Sequence, residues 1–392
     1  MHPDMDQMTE MPRRTASVDR RATSERPYSQ LSSYIAHSAP ATRRPARPRE
    51  PFLRPEIGFV PTWFRQTLDI DFGERWHTDP AYRCDTIAAM SKETRRRFGG
   101  RSDIGIMQDP DHPADILTGT YGTVLVAGIY GAPIEYRSDD WPSVKHGWLL
   151  SDREADRLKP PELDRTPLWN QLMGQLDWIE GERGRIEGFL NWQGVLNNAF
   201  RLRGSRIFVD MRTAPQRVAN IFECVTETMI EGARRLYQRQ SETGVRINHY
   251  TISNCLVNMV SPNQYAQFQL PFDRRIAESF GMIGVHNCAW CADPYIDLYA
   301  TLPGIAYVDM GIESDLARAK KAFPDARRAI MYGPMHIRNR PPARIEQDLG
   351  AIAESYGPCD IVFADITHDT PDDRVFALID ICQRITQKHA PV

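Results

Sequence analysis

The sequence predicts an α/β protein, a (β/α)8 TIM barrel behind a disordered basic N-terminal arm. Three observations carry that expectation. From residue 51 onward, short β-rich runs alternate with longer helical segments, the pattern of βα units around a parallel sheet. About eight such units fit into roughly 340 residues, within the size range of a closed barrel. No GxGxxG follows the first strand and no Walker loop is present, so a doubly wound nucleotide-binding sheet lacks its usual signature.

Residues 1–50 form the arm. They hold nine arginines (Arg13, Arg14, Arg20, Arg21, Arg26, Arg43, Arg44, Arg47 and Arg49), many Ser, Thr and Pro, and few large apolar side chains. Such a stretch cannot offset its ordering entropy by burial. It has no apolar segment after Arg13-Arg14, which argues against a secretory signal. Residues 51–392 form the barrel. Strands are expected at 58–64, 122–130, 186–192, 245–252, 284–288, 305–310, 328–332 and 360–366. Helices are expected at 78–97, 215–239, 262–280 and 341–356, with others opening at Asp293-Pro294, at Ser314 and at Thr370-Pro371.

Composition narrows the function. The balance of 48 Lys+Arg against 51 Asp+Glu gives a net charge of −3, against a nucleic-acid partner, and that sum hides a positive arm and a more acidic barrel. No apolar run reaches the ~18 residues of a spanning helix, so no membrane partner is expected. Seven scattered cysteines do not make a disulfide framework; they suit a reduced cytoplasmic protein, and a homodimer is compatible with all of this.

Barrel chemistry sits at the C-terminal strand ends. The sharpest feature there is Val285-His286-Asn287-Cys288-Ala289-Trp290-Cys291. Alternation along a strand puts His286 and Cys288 on one face, and an imidazole beside a thiolate is two thirds of a catalytic zinc site. The competing reading is a buried thiol packed beside a hydrogen-bonded histidine. Other strand ends bring His249, Tyr250, Asn254 and Cys255, then Asp309, then Asp365 with Thr367 and His368. Asn191, Trp192 and Gln193 close a further strand and line the pocket in this reading. A carboxylate ending an apolar strand needs a pair, a metal or a wet mouth, which makes Asp309 and Asp365 catalytic candidates together with Tyr250. Trp63 and Arg65 are expected at the end of the first strand, Arg65 as a carboxylate clamp. The loop carrying Trp76 and His77 would cover the mouth.

The pattern resembles the uroporphyrinogen decarboxylase-like superfamily over roughly residues 56–390. The resemblance rests on Pro61-Thr62-Trp63-Phe64-Arg65-Gln66, on Ser261-Pro262 leading into Leu270-Pro271-Phe272, on His286-Asn287-Cys288, and on Thr370-Pro371 before the last helix. That superfamily includes uroporphyrinogen decarboxylase, zinc-dependent corrinoid and coenzyme M methyltransferases, and the cobalamin-independent methionine synthase barrel. It implies a methyltransferase in which His286 and Cys288 hold zinc and a methyl group passes to or from a thiol or a corrinoid carried by a partner protein. The alternative it implies is a metal-free decarboxylase or lyase acting on a small carboxylic acid. Two departures shape these expectations. Asp69 stands where the decarboxylases carry a second arginine, against uroporphyrinogen itself. The methyltransferases' third ligand, a cysteine at the last strand end, is replaced by Phe363-Ala364-Asp365-Ile366-Thr367-His368. Asp365, His368 or Cys291 then completes the site, or no zinc is bound.

Overall fold

The computed structural model describes residues 50–99, 115–247 and 250–389. All but the last residue of the expected arm lies outside them, as does His249. Eight strands follow in chain order: β1 (Leu53–Phe59), β2 (Ile134–Glu135), β3 (Ser143–Val144), β4 (Tyr250–Ser253), β5 (Ile283–His286), β6 (Ile305–Gly311), β7 (Arg327–Met331) and β8 (Cys359–Ile366). β2 and β3 make a separate antiparallel ribbon. The other six form one sheet in the order β1-β8-β7-β6-β5-β4, every pairing parallel. Among the described residues the architecture is therefore a six-stranded parallel sheet surrounded by helices, compatible with a barrel-like fold. No ladder joins β1 to β4.

Alternation along the strands sorts the two faces of the sheet. Cys359, Ile361 and Phe363 of β8 join the large apolar core. Asp360, Val362 and Ala364 point the other way, where Val362 and Ala364 meet Tyr307 and Ala329 in a second, small apolar cluster. This second face is layered along the strands. At the N-terminal ends Arg327 Nε donates to Asp360 Oδ2 at 2.7 Å, and Arg54 shares the same carboxylate. The small apolar cluster comes next. Asp309 and His286 stand at the C-terminal ends, in register with each other across β5 and β6.

From β4 onward the expected alternation of strand and helix is present, and the local chemistry explains it. The helix Pro80–Phe98 starts on Asp79, whose carboxylate accepts from the Ala81 and Tyr82 N–H groups. The helix Pro215–Glu242 buries Val218, Ile221, Phe222, Val225 and Met229, spaced three and four apart. No helix of the described residues is long and apolar enough to cross a membrane.

Three expected strands are corrected. The first strand ends at Phe59, because Pro61 opens the helix Pro61–Leu68, so Trp63 and Arg65 sit on that helix and not on a strand end. Within 122–130 lies the helix Leu125–Ile129. Gly119, Tyr121 and Gly122 before it all take positive φ, which makes a string of turns. Residues 186–192 carry no ladder: Gly188 takes φ 102, and side chains take their backbone groups. Thr243 Oγ1 accepts from Ile186 N–H, Thr118 Oγ1 accepts from Phe189 N–H, and Gln240 Nε2 donates to the Ile186 and Gly188 carbonyls.

The ionic layer has a testable weight. Asp360 is fully buried, and Asp360→Ala removes the carboxylate that Arg54 and Arg327 share. Breaking a buried pair from one side costs about 3–5 kcal/mol. The expected result is a matching fall in unfolding free energy at unchanged denaturant slope. A loss below about 1 kcal/mol would show that the layer contributes little.

Candidate metal centre

Three adjacent strand ends build the site. Register aligns Ser253 of β4 with His286 of β5, and His286 with Asp309 of β6. The ladder runs one step further, where Asn254 N–H donates to the His286 carbonyl at 2.7 Å. Both strands then end in the same dipeptide, Asn254-Cys255 and Asn287-Cys288, so the two thiols emerge at the same height. Cys288 takes φ 61, a left-handed turn. It lies beyond the strand, so the turn and not strand alternation places it beside His286. Cys255, His286 and Cys288 each offer one ligand atom, and the three atoms all lie within 4.8 Å of one another.

The imidazole is held from behind. His286 Nδ1 lies 2.7 Å from Asp309 Oδ2, and Asp309 also accepts from the Tyr307 hydroxyl at 2.7 Å and from Asn287 N–H at 3.0 Å. With Nδ1–H committed to the carboxylate, Nε2 is the nitrogen free to ligate. A carboxylate behind a ligating histidine is the usual outer support of a metal site. Cys255 is supported by Asn197, whose Oδ1 accepts from Leu256 N–H at 3.2 Å and whose Nδ2 donates to Gln193 Oε1 at 3.0 Å. Gln193 in turn donates to Asn191 Oδ1. This chain can approach because of Gly194: a Cβ there would lie 2.3 Å from the Ser253 carbonyl oxygen. Behind β4, Asn254 donates to the fully buried Asp273, whose carboxyl burial raises to about 7.

Without a metal the cluster stores protons. Burial disfavours the imidazolium of His286, but the Asp309 carboxylate outweighs it and, with Cys288, raises the pKa to about 10. The hydrogen bond to Cys255 and burial push the Cys288 thiol up, against the pull of His286. That same bond lowers the Cys255 thiol in spite of its burial. The donor set fits zinc: two sulfurs, one imidazole with its outer nitrogen supported, and a fourth position open to substrate. It does not suit magnesium or calcium, which take oxygen ligands.

The expected residues fall into three groups. His286, Cys288 and Asp309 meet at the site, and Asn191, Gln193 and Asn254 support its ligands. Asp365, next to last in β8, takes a left-handed conformation, φ 58, and feels the charge of His286, but it stands outside the three-ligand group. Its carboxyl opens to solvent yet has protein on most sides, and burial raises its pKa in spite of His286. Cys291 is exposed and also outside the group. The remaining expectations are corrected. Trp63 is buried against Phe59 at 4.4 Å, and Arg65 is engaged at 3.0 Å by Asp69, the residue that caps its own helix. Tyr250 begins β4 and so sits at the wrong end of it, stacked on Phe280 at 4.9 Å. Trp192 packs against Gly232, and His77 is buried with Nδ1 accepting from Tyr121 N–H at 3.0 Å. Cys255 as a ligand, with Asn197 and Arg201 beside it, escaped the sequence reading. The repeated Asn-Cys after two strands was the available signal.

Arg201 lies on the helix Val195–Arg203, one turn after Asn197. Its Nη1 donates to the Asn197 carbonyl at 3.1 Å, and its charge acts on Cys255. Burial lowers its pKa to about 10 in spite of that sulfur.

The fold and site together define an α/β protein with a Cys-His-Cys metal-type centre at the C-terminal end of a parallel sheet. No protein-family model matches the chain, and no curated protein matches it. Among solved structures it is similar to a methyltransferase from Methanosarcina mazei, at 15% identity and a TM-score of 0.59, over 88% of this chain and 96% of that one. The likeness is one of fold.

Proposed function

We propose that the protein is a zinc-dependent methyltransferase that moves a methyl group between a donor and a substrate thiol. The observation that carries this reading is the convergence of Cys255, His286 and Cys288 within 4.8 Å, with Asp309 on the outer nitrogen of the imidazole. The fold it shares with a methyltransferase supports it. A bound zinc would supply the Lewis acidity that keeps a thiol deprotonated at neutral pH.

The chain's own residues do the rest. Cys255 Sγ, Cys288 Sγ and His286 Nε2 hold the metal, and Asp309 keeps Nδ1–H pointed away from it. Asn197 fixes Cys255 from the side. In the transfer, a sulfur lone pair forms the S–CH3 bond while the bond from methyl to donor breaks and its electron pair stays on the donor. A corrinoid carried by a partner protein is the donor in this proposal. Met259, Trp290 and Met335 support an approach from the mouth: all three are exposed and follow β4, β5 and β7, Met259 on the short 3-10 helix Val257–Met259, Trp290 in a loop and Met335 on the helix Pro334–Asn339. The decarboxylase alternative has weaker support, since its carboxylate clamp Arg65 is engaged by Asp69.

Metal analysis tests the reading. Purified protein should hold about one zinc per chain, and methyl transfer from methylcobalamin to a thiol should stop on chelation and return with zinc. Full transfer by metal-free protein would refute it.

A further inference from the structure

The last strand carries one residue more than its neighbour can pair. Along β8, Cys359, Ile361 and Phe363 face the large apolar core, and Val362 and Ala364 face the other way. Strict alternation would turn Asp365 toward that core and Ile366 away from it. The ladder to β1 prevents this. Ile57 stands opposite Phe363 and Phe59 opposite Ile366, so two steps on β1 answer three on β8. The extra residue makes a β-bulge at Ala364 and Asp365. Pairing resumes beyond it, where Val60 N–H donates to the Ile366 carbonyl at 3.2 Å. Ile366 thereby returns to the core side, buried with Phe363. Asp365 takes φ 58, a left-handed conformation that is costly inside a strand. The result is a carboxylate kept out of the core and on the face that carries His286, whose charge acts on it. Bulges beside functional sites re-aim a side chain in this way.

The methyl transfer needs a group placed there. A thiol must give up its proton before its sulfur takes a methyl, and the residues around the centre cannot accept it. Cys255, Cys288 and His286 Nε2 would have their lone pairs on the metal. Asp309 is filled by His286 Nδ1, the Tyr307 hydroxyl and Asn287 N–H. Asp273 is fully buried behind β4 and accepts from Asn254, Tyr265 and Gln269. Asp365 differs from both carboxylates. Among the described residues no donor bonds to it, and it is exposed at the strand end.

We propose that Asp365 is the proton acceptor of the reaction, a catalytic residue that the β8 bulge aims at the substrate thiol beside the Cys255–His286–Cys288 centre. The role rests on the methyltransferase reading. The S–H bond breaks, its electron pair stays on sulfur, and the proton goes to an Asp365 oxygen and from there to water. The lone pair left on sulfur is the one that forms the S–CH3 bond.

Thiol entry into the full-length, cobalt(II)-substituted protein tests this, followed by stopped flow in the sulfur-to-cobalt absorption band. One thiol is 1-propanethiol, which arrives protonated at neutral pH; the other is pentafluorothiophenol, which arrives ionised and needs no acceptor. Two variants suit the left-handed backbone: Asp365→Asn, since asparagine tolerates φ 58, and Asp365→Gly, which also leaves room for a small acid. Relative to wild type, Asp365→Asn should slow 1-propanethiol at least about 100-fold more than pentafluorothiophenol. Added acetate should restore 1-propanethiol entry in Asp365→Gly. Equal effects on the two thiols, no restoration by acetate, or loss of cobalt from Asp365→Asn would overturn the role and leave the methyltransferase reading standing. A wild type that holds no cobalt would refute that reading, and the role with it.

Discussion

Cys255→Ser should strip the metal, while Asp365→Asn should keep it. The two substitutions separate the ligand set that the structure assembles from the one that the last strand end offers. Cys255 has its sulfur within 4.8 Å of the ligand atoms of both His286 and Cys288. Asp365 reaches the site only through the field of His286. A serine hydroxyl is a poor replacement for a thiolate, so affinity should fall by more than the roughly 10–100-fold that follows loss of an outer hydrogen-bond partner. Zinc content after gel filtration should drop from about one per chain to near zero. Cys288→Ser should do the same. Retained zinc in Cys255→Ser, with loss in Asp365→Asn, would move the third ligand to β8.

Asp309→Asn should weaken zinc by roughly 10–100-fold without removing any ligand, and it should change the pH behaviour of the metal-free protein. The sign follows from His286, whose pKa rises from 6.5 to about 10 in the folded chain. A raised pKa means that the folded state holds the proton more tightly than the unfolded state. The imidazolium–Asp309 pair therefore contributes its full stability below about pH 6.5 and loses it as pH climbs through about 10. Metal-free wild type should show a falling denaturation midpoint across that window, and Asp309→Asn a flatter one. Metal affinity should run the other way. Binding needs the Nε2 lone pair and both thiolates, so it releases protons and strengthens with rising pH. A metal-free wild type whose midpoint is flat from pH 6.5 to 10 would show that the pair does not form.

Much of the site was legible because it is local. His286 and Cys288 lie two residues apart, and the expectation of a strand end there was sound. The reason for their meeting differed, since a left-handed turn at Cys288 does what strand alternation was expected to do. Asp309 was readable as a costly buried carboxylate, and its partner became clear only from the register of β5 on β6. Pro61 misplaced Trp63 and Arg65 by one element: the run 58–64 is rich in β-formers, yet proline at the first helical turn outweighs that propensity. Residues 186–192 failed for another reason. Their pattern is that of a strand, but Thr118, Gln240 and Thr243 satisfy the backbone from distant places in the chain.

By itself the amino-acid order determined the alternation of strand and helix from residue 250 to the end, the polar strand ends, and the His-x-Cys pair. Each depends on neighbours a few residues apart, through side-chain periodicity and capping. Tertiary structure alone decided that Cys255 joins the pair and that Asp309 braces the imidazole. Those outcomes depend on parallel register between strands well separated in the chain, Ser253 against His286 and His286 against Asp309. Register depends on the packing of the whole sheet, so no short window of sequence contains it.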